Sequence, residues 1–157
     1  MKKIQLSKHF CLFISNPKYS EVEEAQFFLK KIFRIGTEKN YCSANLVIIG
    51  KRKSRQLNFQ YRQINKSTDV LASPFYYAYK KEIEFSLQTP HQDLGEIFIC
   101  YPTAKKQARE NHCSLKKEIC FLFLHGLLHL LGHNHEEEQE KKVMFALQDQ
   151  ILEKLNI

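Results

Sequence analysis

The stretch Ser114-Leu115-Lys116-Lys117-Glu118-Ile119-Cys120-Phe121-Leu122-Phe123-Leu124-His125-Gly126-Leu127-Leu128-His129-Leu130-Leu131-Gly132 organises the rest of the chain. Its apolar residues, among them Ile119, Cys120, Leu122, Phe123, Leu124, Leu127 and Leu128, do not keep to one helical face. A helix that is apolar nearly all round is buried, so the helix predicted over 115–131 belongs in the middle of a domain. Ser114 can cap its start, and Gly132 can take the left-handed conformation that stops it.

Elements of both kinds flank this helix. Phe10–Ile14, Ala44–Ile49, Thr68–Leu71 and Leu94–Cys100 are short runs rich in aromatic and branched residues and read as strands. Between them, Ser20 to Gly36 carries Val22, Ala25, Phe28 or Leu29, and Ile32 at helical spacing, with Ser20 and Glu23 placed as a capping box. Residues 51–62 read as a short helix, and Pro102 opens another through about Asn111. A last helix puts Val143 or Met144, Leu147, Ile151 and Leu155 on one side. Phe75 to Leu87 reads equally as hairpin or loop. The prediction is an α+β fold in a single domain over 1–157, with one mixed sheet of about four strands packed with about five helices.

Composition agrees and narrows the class. Of 157 residues, 43% are hydrophobic and twelve are Phe, which excludes disorder over most of the length. No apolar run approaches the roughly 18–20 residues of a membrane span, and no apolar stretch follows Lys2 and Lys3 as in a secretory signal. A soluble cytoplasmic domain is expected. Cys11, Cys42, Cys100, Cys113 and Cys120 are odd in number and lack a C-x-x-C pair, so they read as buried hydrophobes. The net charge of +7 is uneven: residues 133–157 carry −3 and residues 1–132 carry +10. A basic body suits a polyanionic partner, nucleic acid first. A basic groove leading to the chemistry is expected, with the last helix beyond it.

The chemistry sits at the end of the central helix. His125 and His129 are at i and i+4, so both imidazoles leave one helix face. A turn at Gly132 lets His135 swing round to the same point. Three neutral imidazoles with one position left open are the ligand set of a catalytic zinc, here zincin-like and at a helix end. The spacing H-x3-H-x2-G-x2-H is that of the metzincin peptidases, which place a glutamate base directly after the first histidine. Here that residue is Gly126, which cannot act as a base. His133 reads as a substrate contact or a solvated side chain.

The segment His125–His135 resembles the signature of the YbeY family of bacterial endoribonucleases and ribosomal RNA maturation factors, H-G-x-L-H-L-x-G-Y-D-H. It matches at His125, Gly126, Leu128, His129, Leu130, Gly132 and His135. Leu57-Asn58 with Tyr61-Arg62 resembles the family's L-N-x-x-Y-R, and Thr68-Asp69-Val70-Leu71 with Pro74 resembles T-D-V-L-S-F-P. Leu94-Gly95-Glu96-Ile97 resembles L-G-D-I, and Glu118 falls where the family has Glu. The likeness covers roughly residues 43–155. His133 and Asn134 replace the signature's Tyr and Asp, Ala72 and Ser73 replace Ser and Phe, and Glu96 replaces Asp. Asn134 can accept a hydrogen bond but cannot act as a base.

The resemblance implies a metal-dependent, single-strand-specific endoribonuclease acting in maturation of the small-subunit ribosomal RNA 3′ end and in ribosome quality control. It implies one Zn2+ per chain on His125, His129 and His135. Arg62, which alone reads as a solvated residue or a partner of Asp69, becomes the group that grips the phosphate. Asp69, Glu118 and Asn134 become supports for the ligands or for Arg62. Lys51, Arg52, Lys53, Arg55 and Arg62 are expected to contact the RNA backbone. Tyr76, Tyr77 and Tyr79 could stack on bases or be strand residues. The expected partners are ribosomal RNA, the small subunit, and ribosomal or GTPase assembly partners. Two other readings stay open: a zinc hydrolase of peptidase type, and an assembly factor whose metal is structural.

Overall fold

The structure is a computed structural model and describes residues 2–5, 10–15, 19–37, 42–75, 92–133 and 135–157. Five strands form one sheet: β1 (Lys2–Gln5), β2 (Phe10–Ser15), β3 (Cys42–Ile49), β4 (Val70–Pro74) and β5 (Gln92–Cys100). Among the described residues five helices accompany them: α1 (Ser20–Gly36), α2 (Lys51–Arg62), α3 (Tyr101–Glu110), α4 (Leu115–Leu130) and α5 (Glu138–Lys154). The fold is α+β, as the sequence predicts.

The sheet order is β1-β2-β3-β5-β4. The neighbours β2, β3 and β5 run parallel, while β1 and β4 are antiparallel edges, so the sheet is mixed. The predicted count of about four strands falls short by β1. That strand is four residues long and begins with two lysines, a composition that protects a sheet edge from further pairing and hides it from a hydrophobic pattern.

Strand β3 explains the layering. Leu46 and Ile48 join the main core, while the alternate residues Val47 and Ile49 pack with Leu57, Leu71 and Phe98 on the other face. Helix α2 supplies Leu57 and covers that second face. On the first face, α4 packs against β4 and β5, with α1 beside it. The approach is close. A Cβ at Gly126 would lie 2.7 Å from Ile97 Cγ2, and one at Gly36 would lie 2.9 Å from Leu127 Cδ2. Helix α4 is buried along its length, as its apolar surface requires.

Two local expectations are corrected. The N-cap of α1 is Tyr19, not Ser20; the Ser20 hydroxyl donates to the neighbouring Glu21 carboxylate, and the Tyr19 ring stacks on Tyr101. A reciprocal capping box instead opens α5, between Glu137 and Glu140. The strand predicted from Thr68 starts at Val70 because Thr68 is held in a loop: its N–H donates to Ser54 Oγ over 2.9 Å, and its carbonyl accepts from the same hydroxyl over 2.7 Å. The possible hairpin beyond Phe75, Tyr76, Tyr77 and Tyr79 included, lies outside the described residues.

Candidate functional site

Helix α4 starts as predicted, with Ser114 Oγ accepting the Lys117 N–H over 3.1 Å. It ends in a Schellman turn. Gly132 takes φ 89°, its N–H bonds to the His129 carbonyl, and the His133 N–H bonds to the Leu128 carbonyl over 2.9 Å. The turn brings His135 back over the last turn of the helix. One nitrogen from each of His125, His129 and His135 lies within 4.8 Å of the others. His129 Nε2 stands 3.2 Å from His125 Nε2. Two imidazoles on one tetrahedral zinc would hold their nitrogens about 3.3 Å apart, given bonds of about 2.0–2.1 Å. The donor set and its spacing fit a divalent ion.

A fourth residue touches the cluster. Gln148, fully buried on α5, meets His125 Nδ1 with its Oε1 at 3.3 Å, and its Nε2 donates to the Phe121 carbonyl over 3.4 Å. Phe145 of the same helix places its ring 6.2 Å from that of His125. The last helix therefore packs against His125 through Gln148 and Phe145.

Burial decides the charge state of two of these histidines. It pushes the His129 imidazole down to about 4, helped by the charges of His125, His135 and Arg62. Burial also lowers His125, against the raising pull of its bond to Gln148. Both rings are thus neutral near pH 7, the form that binds a metal.

The three histidines open on a cleft of about 130 Å³ that Arg62, Thr68 and Asp69 also line. Arg62 closes α2, is exposed, and its charge is felt at both His125 and His129. It reaches the cleft because Ser54 and Asn58 pin the following loop to the helix; Asn58 Nδ2 donates to the Lys66 carbonyl over 2.8 Å. Asp69 turns its carboxylate to Gln107 Nε2 (3.0 Å) and to the Val70 N–H (2.7 Å). Among the described residues, no carboxylate pairs with Arg62. Glu118 lies apart from the cleft, one turn into α4, where it accepts from Asn111 Nδ2 over 3.5 Å and from Cys113 Sγ over 3.7 Å. Burial raises its carboxyl above the ordinary range. Asn134 lies outside the described residues, and His133 is half-buried.

Lys51, Arg52, Lys53 and Arg55 are exposed along α2. Arg52, Arg55, Phe59 and Arg62 recur at helical spacing and form one stripe that ends at the cleft. Arg55 Nε donates to Asn65 Oδ1 over 2.7 Å, and Phe59 is 51% exposed between the arginines. Three described cysteines, Cys42, Cys100 and Cys120, are buried, as expected. No helix of the described residues is long and apolar enough to cross a membrane.

Sequence reasoning missed Gln148. The signal was present: Met144, Gln148, Ile151 and Leu152 are the buried positions of α5, so a polar residue stands in an apolar stripe.

Residues 14–156 match the family model described as endoribonuclease YbeY. The chain is 37% identical over 144 residues to endoribonuclease YbeY of Phytoplasma australiense, covering 92% of this chain and 94% of that one. It is 36% identical over 143 residues to endoribonuclease YbeY of Heliobacterium modesticaldum, covering 86% of each. The solution structure of TM1509 from Thermotoga maritima superposes with a TM-score of 0.58 at 26% identity, over 90% of this chain and 87% of the other.

Proposed function

Because the chain belongs to the endoribonuclease YbeY family, we propose that it is a metal-dependent endoribonuclease that cleaves single-stranded ribosomal RNA. On this reading it works in the cytoplasm, in maturation of the small-subunit RNA 3′ end and in ribosome quality control. The observation that carries the proposal is the meeting of three imidazoles and one exposed guanidinium on a single cleft.

His125, His129 and His135 would hold one zinc ion in a zincin-like arrangement, supplying Lewis acidity toward a phosphoryl oxygen or the attacking water. Arg62 grips phosphoryl oxygens with its fork of donors and stabilises the charge that gathers on them in the transition state. Its exposure leaves it able to reach the phosphate, and Asp69, committed to Gln107 and Val70, does not neutralise it. The cleft of about 130 Å³ has room for the phosphoryl group of an extended strand. The stripe on α2 fits such a strand. Arg52 and Arg55 meet its phosphates, joined by Lys51 and Lys53, and the Phe59 ring offers a face for an unpaired base.

The peptidase alternative is disfavoured by packing as well as by chemistry. The residue after the first ligand would need a carboxylate, yet a Cβ at Gly126 would already press within 2.7 Å of Ile97 Cγ2.

The test is single-turnover cleavage of a ribosomal RNA fragment by zinc-loaded wild type, His125→Ala and Arg62→Glu. Cleavage by wild type alone supports the proposal. Equal residual cleavage by wild type and His125→Ala would reject it.

A further inference from the structure

Gln148 is 0% exposed and lies on the face of α5 shared with Met144, Ile151 and Leu152. An amide buried there loses its hydration, whereas a methionine of similar length would not, so stability of the core does not select glutamine. Both of its polar ends are occupied. The Phe121 carbonyl, one helical turn before His125, can only accept a hydrogen bond, so the Gln148 amide nitrogen must face it. The Gln148 oxygen must then face His125 Nδ1, and that nitrogen must carry the proton.

We propose that Gln148 is a positioning residue for the metal centre: its carbonyl oxygen holds His125 as the Nδ1–H tautomer, so that Nε2 is presented to the ion as a lone pair. The inference rests on the three-histidine metal site proposed above and deepens it. The same contact fixes the rotation of the His125 ring about its own helix, with α5 as the support. A ligand held in one tautomer and one rotamer gives up less freedom when it binds, which is how partners behind a ligating imidazole raise affinity.

The experiment compares full-length wild type, Gln148→Met and Gln148→Glu by zinc affinity in a chelator competition and by the His125 tautomer in long-range 1H–15N spectra. Thermal unfolding monitors the fold. Methionine keeps the volume and removes the acceptor, so its zinc affinity should fall about 10- to 100-fold without loss of thermal stability. Glutamate in its protonated form keeps a donor for the Phe121 carbonyl and an acceptor for His125 Nδ1, and should recover most of the lost affinity. Wild-type affinity in Gln148→Met, or equal losses in both variants, would overturn the proposal. So would an Nε2–H tautomer of His125 in the wild type, a readout independent of whether either variant folds. None of these readouts uses RNA. A wild type that binds zinc but leaves RNA intact would reject the nuclease reading and not this one.

Discussion

Nε2 of His129 stands 3.2 Å from Nε2 of His125, although the two residues are a full helical turn apart in sequence. With the His125 proton drawn to Nδ1 by Gln148, its Nε2 is a lone pair facing the neighbouring ring. Only a proton on His129 or a cation can sit favourably between them, and the third imidazole converging from His135 fits the cation.

The guanidinium of Arg62 is separable from the metal. It is exposed at the end of α2 and no described contact of the fold depends on it. Arg62→Ala should slow single-turnover RNA cleavage about 10²–10³-fold while zinc stoichiometry stays unchanged. Loss of zinc from this variant, measured by metal analysis, would contradict the assignment.

The stripe on α2 makes an ionic-strength prediction. Each phosphate contact to a single strand contributes about 0.7 to the slope of log affinity against log salt. Removing Arg52 and Arg55 together should lower the slope by about 1.4, read from RNA binding at several salt concentrations. Phe59→Ala should weaken binding by about 1–3 kcal/mol with the slope unchanged, since stacking releases no counterions.

Gly126 is a packing residue beside His125. Gly126→Ala places a methyl 2.7 Å from Ile97 Cγ2 and 3.3 Å from Val70 Cγ2, both buried. Overpacking of this kind costs about 1–3 kcal/mol, to be measured by denaturant unfolding. Wild-type stability would mean that α4 has slack against the sheet.

Glu118 carries the pH prediction. Burial, aided by the Asp69 charge, raises its carboxyl above the ordinary value of 4.5. The folded state therefore holds this proton more tightly than the unfolded state. The stability it contributes is present below pH 4.5 and is lost as pH rises through the folded value. Gln has no such loss, so the melting temperature of Glu118→Gln relative to wild type should increase with pH. A constant difference between pH 4 and pH 8 would refute this. A fall in zinc affinity in the same variant would show the carboxylate acting on the metal centre.

Much of this architecture can be read from the chain. The all-round apolar surface of 115–130 demands burial, and the spacing of His125, His129, Gly132 and His135 dictates a convergent turn. What escaped the sequence did so for physical reasons. Strand β1 is short and lysine-rich because it is an edge, so it lacks the hydrophobic pattern of a central strand. Ser20 and Glu23 satisfy a capping pattern, but the stack of Tyr19 on Tyr101 accompanies a helix that starts without it. Gln148 shows in the sequence only as a polar residue in an apolar stripe, because only the docking of the helix shows that its partner is His125. Asp69 and Arg62 have opposite charges and line one cleft, yet Asp69 bonds elsewhere, a choice set by the position of Gln107 on α3.

The central claim is that RNA cleavage depends on one ion held by the three histidines. The direct measurement is a titration of zinc into metal-free protein, following single-turnover cleavage of a single-stranded ribosomal RNA fragment, with His129→Ala in parallel. Cleavage that rises with zinc, saturates near one equivalent and is absent from His129→Ala is the predicted result. Cleavage of equal rate in the variant, or in wild type stripped of metal, would contradict it.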